Sequence, residues 1–371
     1  MSWMRVSAGA LVLLLVPVGA WVSPGAGQGP PQTLAPPPVA AAKPAAKPVP
    51  KPVPPKPVPP KPSAGAAAAP LSSAPPPQAP GTDWEHAPDL AYGAYQRGYY
   101  LTAFAIATRR VEDKSDVKAM TLLGELYANG YGVERNDMKA VEWYRLAADR
   151  GDREAMFALG MFYLGGRTGA ADGERGAKLL AAAAKLGHAA ASYDLALLYL
   201  EGKVFPQDFT RAAELFRAAA EAGNPEAQYA LATLYKEGRG VTKDLSEAAR
   251  LLAAATAADY TDAEVEYAIA LFNGIGIPRN ELTAATLLNK AARKGNPVAQ
   301  NRLANILAVG HGLKADPVAA IKWHMVAKAG GVSDAPLDAF VARQTPEVRT
   351  AAEKAAKPWL DALKEKRASH S

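Results

Sequence analysis

Few residues in this chain stand where their types and spacing could do chemistry. Ser115-Asp-Val-Lys118 has the Ser-x-x-Lys spacing, in which a lysine one helical turn away can activate a serine for acyl transfer. No Ser-Asp-Asn or Lys-Thr-Gly partner accompanies it. The five histidines, His86, His188, His311, His324 and His370, lie far apart, with no His-Glu-x-x-His pair to hold zinc. Gly238-Arg-Gly240 and Gly274-Ile-Gly276 are too short to cradle a phosphate or a dinucleotide, and no Gly-x-Ser-x-Gly elbow is present. The absence of cysteine excludes disulfides, thiolate metal sites and a lipobox-type anchor. These observations predict no catalytic residue, no metal ligand and no cofactor, and so a protein that is not an enzyme.

The elements that carry these residues repeat. Between Ala119 and Asp334 the same residue types return every 36 positions, without insertions. One position is Ala119, Ala155, Ala191, Ala227, Ala263 and Ala299, and a second is Ala147, Ala183, Ala219, Ala255, Ala291 and Ala327. A third is Gly130, Gly166, Gly202, Gly238, Gly274 and Gly310. A fourth is Asn or Asp at 136, 172, 208, 244, 280 and 316. A strict period of this length is the signature of a solenoid. Ser115 falls 36 residues before Gly151, in a turn between helices rather than in a cleft.

Each position has a physical reason. Ala119, Leu122, Leu123, Leu126 and Tyr127 recur at helical spacing and predict one helix with an apolar stripe. Gly130 supplies the left-handed residue that ends it. Asn136 then caps a second helix carrying Ala140, Trp143, Tyr144 and Ala147 on one face, which ends at Gly151. Asp316-Pro317 is the strongest such cap, and Asp244-Leu-Ser-Glu247 has capping-box spacing. The invariant alanines mark close helix crossings, where a larger side chain would overpack. No unit can bury its apolar stripe alone, so neighbours must stack.

Ala-x-x-x-Leu-Gly-x-x-Tyr, Gly-x-Gly-Val and Lys-Ala-x-x-Trp-Tyr-x-x-Ala-Ala, most complete over 119–148, resemble the Sel1-like repeat family, a relative of tetratricopeptide repeats. The resemblance implies an all-α, right-handed α-solenoid of six 36-residue helix-turn-helix repeats with helical caps. Leu271 and Leu307 in place of Tyr127, and Leu179 in place of Trp143, keep the positions apolar. Some Sel1-like proteins are linked to β-lactam binding, which leaves a β-lactam-binding protein or a cell-wall-associated enzyme as the alternative reading.

The net charge of +6 belongs to one end of the chain. Residues 1–82 hold Arg5, Lys43, Lys47, Lys51, Lys56 and Lys61 and no acidic residue, whereas the remainder holds 36 basic and 36 acidic residues. The solenoid therefore has no net attraction for nucleic acid. Residues 1–20, with an apolar run from Val6 to Val16 and small residues at Val18 and Ala20, read as a secretory signal peptide cleaved after Ala20. The alternative is an uncleaved N-terminal membrane anchor, and either reading exports the rest to the periplasm or beyond. Residues 21–82 read as a disordered Pro/Ala/Lys-rich linker, with 21 of the 31 prolines between Pro24 and Pro80. Its lysines suit a solvated spacer or weak contact with anionic envelope surfaces.

Residues 83–118 read as an N-terminal capping helix pair, with Leu90, Tyr92 and Tyr95 as the apolar face of its first helix. The six repeats fill 119–334, and 335–371 forms C-terminal capping helices and a tail, with Leu337, Phe340, Val341, Trp359 and Leu363 as apolar contacts.

In related solenoids the first helix of each unit lines the concave face. That places Phe157, Tyr193 and Tyr229 on one line, with Met161 and Leu197 beside them, as candidate residues for a protein or peptide partner in the groove. The same side chains also suit packing between helices. Later in the chain the line becomes Val265, Asn301 and Asn305, so the groove is expected to turn polar. Residues 93–104, 296–304 and 316–320 are further similar to the periplasmic Sel1-repeat regulators of exopolysaccharide production in alphaproteobacteria. That similarity implies a periplasmic partner, often a membrane sensor kinase held inactive; the Pro/Lys linker departs from it.

Overall fold

The computed structural model describes residues 89–167 and 169–369. The signal and linker readings, His86 and His370 lie outside the described residues. Sixteen α-helices and no strand occur among those described. Helices α1 (Leu90–Gln96) and α2 (Tyr100–Lys114) lead into α3 (Val117–Asn129) and α4 (Asp137–Ala148). The pairing then repeats as α5 (Arg153–Leu164) with α6 (Gly173–Lys185), and α7 (Ala189–Glu201) with α8 (Phe209–Glu221). It continues as α9 (Pro225–Glu237) with α10 (Leu245–Ala257), and α11 (Thr261–Asn273) with α12 (Glu281–Arg293). The last pair is α13 (Pro297–Val309) with α14 (Pro317–Ala329), followed by α15 (Ala335–Ala342) and α16 (Pro346–Ala368). Helices pack mainly on their neighbours in sequence, as a solenoid requires, and α16 returns to lie on α14.

The periodic residues do what their spacing predicts. The twelve alanines of the two invariant positions are all 3% exposed or less. All six Asn/Asp side chains accept a backbone hydrogen bond from the first turn of the second helix, as Asp208 Oδ1 does from the Arg211 N–H at 2.9 Å. Each such cap contributes about 1 kcal/mol. The capping box at Asp244 does not close, because Glu247 turns away to Arg250, with 2.6 and 2.7 Å contacts. A guanidinium one turn on is a stronger partner for a carboxylate than a neutral backbone N–H.

Successive repeats meet at the second glycine of the Gly-x-Gly turn. A Cβ on Gly276 would collide with the Leu245 carbonyl, and one on Gly132 would lie 2.8 Å from the Leu101 nitrogen. The loop thus seats directly on the first turn of the preceding repeat's second helix. Val204 occupies this position in the third repeat, and the residue facing it is Gly173, whose added Cβ would meet Val204 at 2.9 Å. The bulk has moved from one side of the contact to the other.

The ends differ from the predicted pattern in one respect. On α1 the buried residues are Ala91 and Ala94, while Leu90 and Tyr92 are exposed. Small residues three apart let this short helix approach α2 and α3, and the larger side chains are left at the rim. At the other end Trp323 and Trp359 join α14 to α16, with ring centres 4.8 Å apart.

Candidate functional site

At four junctions the residue preceding a first helix contacts the first helix before it, so the line of side chains passes from helix to helix there. Thr121 donates to Asp152 at 3.1 Å. His188 Nδ1 accepts from the Ala191 N–H at 3.0 Å, capping α7, while Nε2 lies 2.9 Å from Glu154. In the neutral tautomer that serves both contacts, Nε2–H donates to the carboxylate. The His188 ring also stacks on Phe157, with centres 4.4 Å apart. Further along, Asn296 donates to Asp262 at 3.2 Å.

The sequence candidates divide on this line. Phe157, Met161, Tyr193 and Tyr229 are half-buried, whereas Leu197 is 6% exposed and lies within the core. Leu197, a candidate for the groove by its spacing, is buried, so it backs the face rather than forming it. Tyr193 rests on the fully buried Phe216, ring centres 5.6 Å apart, and Tyr229 lies 5.4 Å from Tyr260. Burial raises both phenol pKa values, and nearby carboxyl groups add to the effect.

Three residues of this line were not legible as candidates: Asp194, Glu226 and Tyr260. Burial pushes the Asp194 carboxyl up to about 7; His188 opposes the shift and Glu226 reinforces it. Asp194 and Glu226 make no hydrogen bond or ion pair among the described residues. The signal for Tyr260 was present in the periodicity. It occupies the position held elsewhere by Asp116, Asp152, His188, Asn224 and Asn296, all of which cap a first helix, and its own side chain makes no cap hydrogen bond.

The residues with apparent chemistry are placed elsewhere. Ser115 ends α2 in a left-handed conformation (φ 51°), and both it and Lys118 are exposed. His324 is buried with Nε2 2.8 Å from Asp338, and His311 is half-exposed in its loop. Glu264 is fully buried but paired with Lys290 at 2.5 Å and Lys294 at 3.0 Å. Among the described residues no group of three His, Asp or Glu side chains could hold a metal ion, and no helix is long and apolar enough to cross a membrane.

A stack of helix pairs with an aromatic line along its first helices defines a repeat scaffold of the kind that engages protein partners and is generally non-catalytic. The chain belongs to the Sel1 repeat family, which matches residues 117–152, 153–188, 189–224, 225–260, 261–296 and 297–324. Among solved structures it is similar to a Sel1 repeat protein from Oxalobacter formigenes. The two are 27% identical with a TM-score of 0.55, over 66% of this chain and 97% of the other. It is also similar to a protective antigen of uropathogenic Escherichia coli, 25% identical with a TM-score of 0.49, over 71% and 64% of the two chains. No curated protein matches it.

Proposed function

We propose that this chain is an exported, non-enzymatic scaffold that captures a protein or peptide partner in the cell envelope, regulating a sensor or an exopolysaccharide pathway. Export rests on the apolar run from Val6 to Val16, and residues 21–82 serve as the spacer between the envelope and the repeats. The observation that carries the binding reading is the half-buried line of Phe157, Tyr193 and Tyr229 in three successive repeats, with Met161 beside it. Aromatic side chains that are neither solvated nor closed off contribute most when a partner completes their burial. Leu197 backs this line from the core.

The test is capture from intact envelope with the full chain as bait, comparing wild type with Tyr193→Ser plus Tyr229→Ser. Loss of the captured protein from a variant that still melts cooperatively supports the proposal. Undiminished capture by the folded variant refutes it.

A further inference from the structure

We infer that His188 is a positioning residue of the proposed groove: one edge of its ring caps α7, the other is tied to Glu154, and its face sets the orientation of Phe157 for the partner. This deepens the proposed function and rests on it.

The residue before each first helix supplies either an oxygen or a ring, and only here a group that serves as both. Asp116, Asp152, Asn224 and Asn296 cap the helix with a side-chain oxygen and have no ring to set against the line. Tyr260 lays its ring 5.4 Å from that of Tyr229 and makes no cap hydrogen bond. His188 accepts from the Ala191 N–H at 3.0 Å through Nδ1, as a cap does. Its ring also stacks on Phe157, with centres 4.4 Å apart and 23° between the planes.

Hydrogen bonds on opposite edges of an imidazole hold both of its side-chain torsions. The cap fixes Nδ1, and Nε2–H donates to Glu154 at 2.9 Å. That hydrogen bond, against the opposing effect of burial, holds the Glu154 carboxyl below its usual range, so the acceptor is charged at neutral pH. Arg153 Nη1 donates to the Leu186 carbonyl at 3.1 Å and so pins the turn that delivers His188. Phe157 has no such bonds of its own. It is half-buried, resting on the apolar cluster of α6 and α7, and the fixed plane of His188 sets its tilt. A partner then meets a ring already ordered, and binding does not have to order it. An asparagine at this position would keep the cap and leave that face of Phe157 bare.

The test separates the ring from the cap. His188→Asn keeps the kind of cap that Asn224 and Asn296 make and removes the ring, whereas His188→Phe keeps a ring and removes the cap. The full chain is labelled with fluorophenylalanine, and its Phe157 resonance is assigned by its loss in Phe157→Leu. In His188→Asn the Phe157 fluorine signal should lose its ring-current shift and broaden. Capture of the envelope protein held by wild type should fall at least threefold, with the melting temperature unchanged. In His188→Phe melting should fall by several degrees, while capture stays within twofold of wild type. An unchanged Phe157 signal or undiminished capture in His188→Asn overturns the inference. Capture that follows melting across the two variants also overturns it, because His188 is then a cap alone. In each of those cases, lost capture in folded Tyr193→Ser plus Tyr229→Ser leaves the groove proposal standing. Undiminished capture by that tyrosine variant refutes the groove and this inference with it.

Discussion

The third and sixth repeats place side chains at equivalent positions and use them in opposite ways. Tyr193 and Asn301 are three periods apart on the first helices. Around Tyr193 the carboxyl of Asp194 has no hydrogen-bond or ion-pair partner among the described residues, and the aromatic ring is half-buried. Around Asn301 the side-chain amides are paired from within. Its side-chain amide donates to Asp334 at 3.0 Å, Asn305 does the same at 3.0 Å, and Asn301 itself is 5% exposed. The late line is polar, as its residues predict, but its polarity is consumed by the start of α15 and is not open to a ligand. The comparison teaches that residue type along a solenoid face does not define a binding surface. What the next element brings against that residue does.

The strongest way to break the comparison is to cut both positions. Tyr193→Ser plus Tyr229→Ser should abolish partner capture, since truncated hot-spot aromatics typically cost ~2 kcal/mol or more each in binding. Melting should fall only by the packing of Tyr193 on Phe216 and of Tyr229 on Tyr260. Asn301→Ser plus Asn305→Ser should do the reverse, lowering the melting temperature by several degrees and leaving capture unchanged. If both pairs lower melting alike, the distinction between an open and a closed face fails.

Ala219→Leu tests the frame that places both faces. Ala219 is 0% exposed, so the added bulk should cost ~1–3 kcal/mol, whereas Glu221→Leu on the exposed side of α8 should cost little. Equal melting temperatures for the two variants would undo the assignment of helix faces.

The two aspartates predict opposite pH dependence. Asp194 keeps its proton to about pH 7 when folded but releases it near 4 when unfolded, so the folded state holds more protons between these values and stability falls as pH rises through them. Asp194→Asn should therefore raise stability at pH 8 by about 1–3 kcal/mol and leave it unchanged at pH 4. For Asp334, burial alone would raise the pKa, but hydrogen bonds from Asn305, Asn301 and the Leu337 N–H hold it below the usual range. Its contribution is present above the unfolded pKa and lost as pH falls, so Asp334→Asn should destabilise at pH 7 more than at pH 3. Thermal melts across pH that give the same sign for both would contradict this.

The smallest effect is expected from the N-terminus. A chain starting at Thr82 should keep the helical circular dichroism and melting temperature of the whole, because residues 24–80, so rich in proline and poor in large apolar residues, have little to bury. A loss of many degrees would show that the repeats depend on it.

Residues that act through covalent geometry and spacing were legible without coordinates. A period of 36 residues set the helix pairs. The six Asn/Asp caps work because a cap needs only its own backbone three residues on, and the alanines are buried because helix crossings recur with the period. Even the leading helix pair was visible, though which face of α1 it buried was not, since Ala91 and Ala94 won over Leu90 and Tyr92 by permitting closer approach. The tertiary structure alone decided what each repeated position meets across the gap. Glu247 chose Arg250 over its own helix end, Leu197 was closed into the core, and Asn301 was claimed by Asp334. Likewise only the fold brought Tyr260 to Tyr229 and left Asp194 without an ion-pair partner among the described residues. A periodic sequence specifies the backbone path through local contacts, but whether a side chain on that path packs, pairs or stays open depends on residues more than thirty positions away.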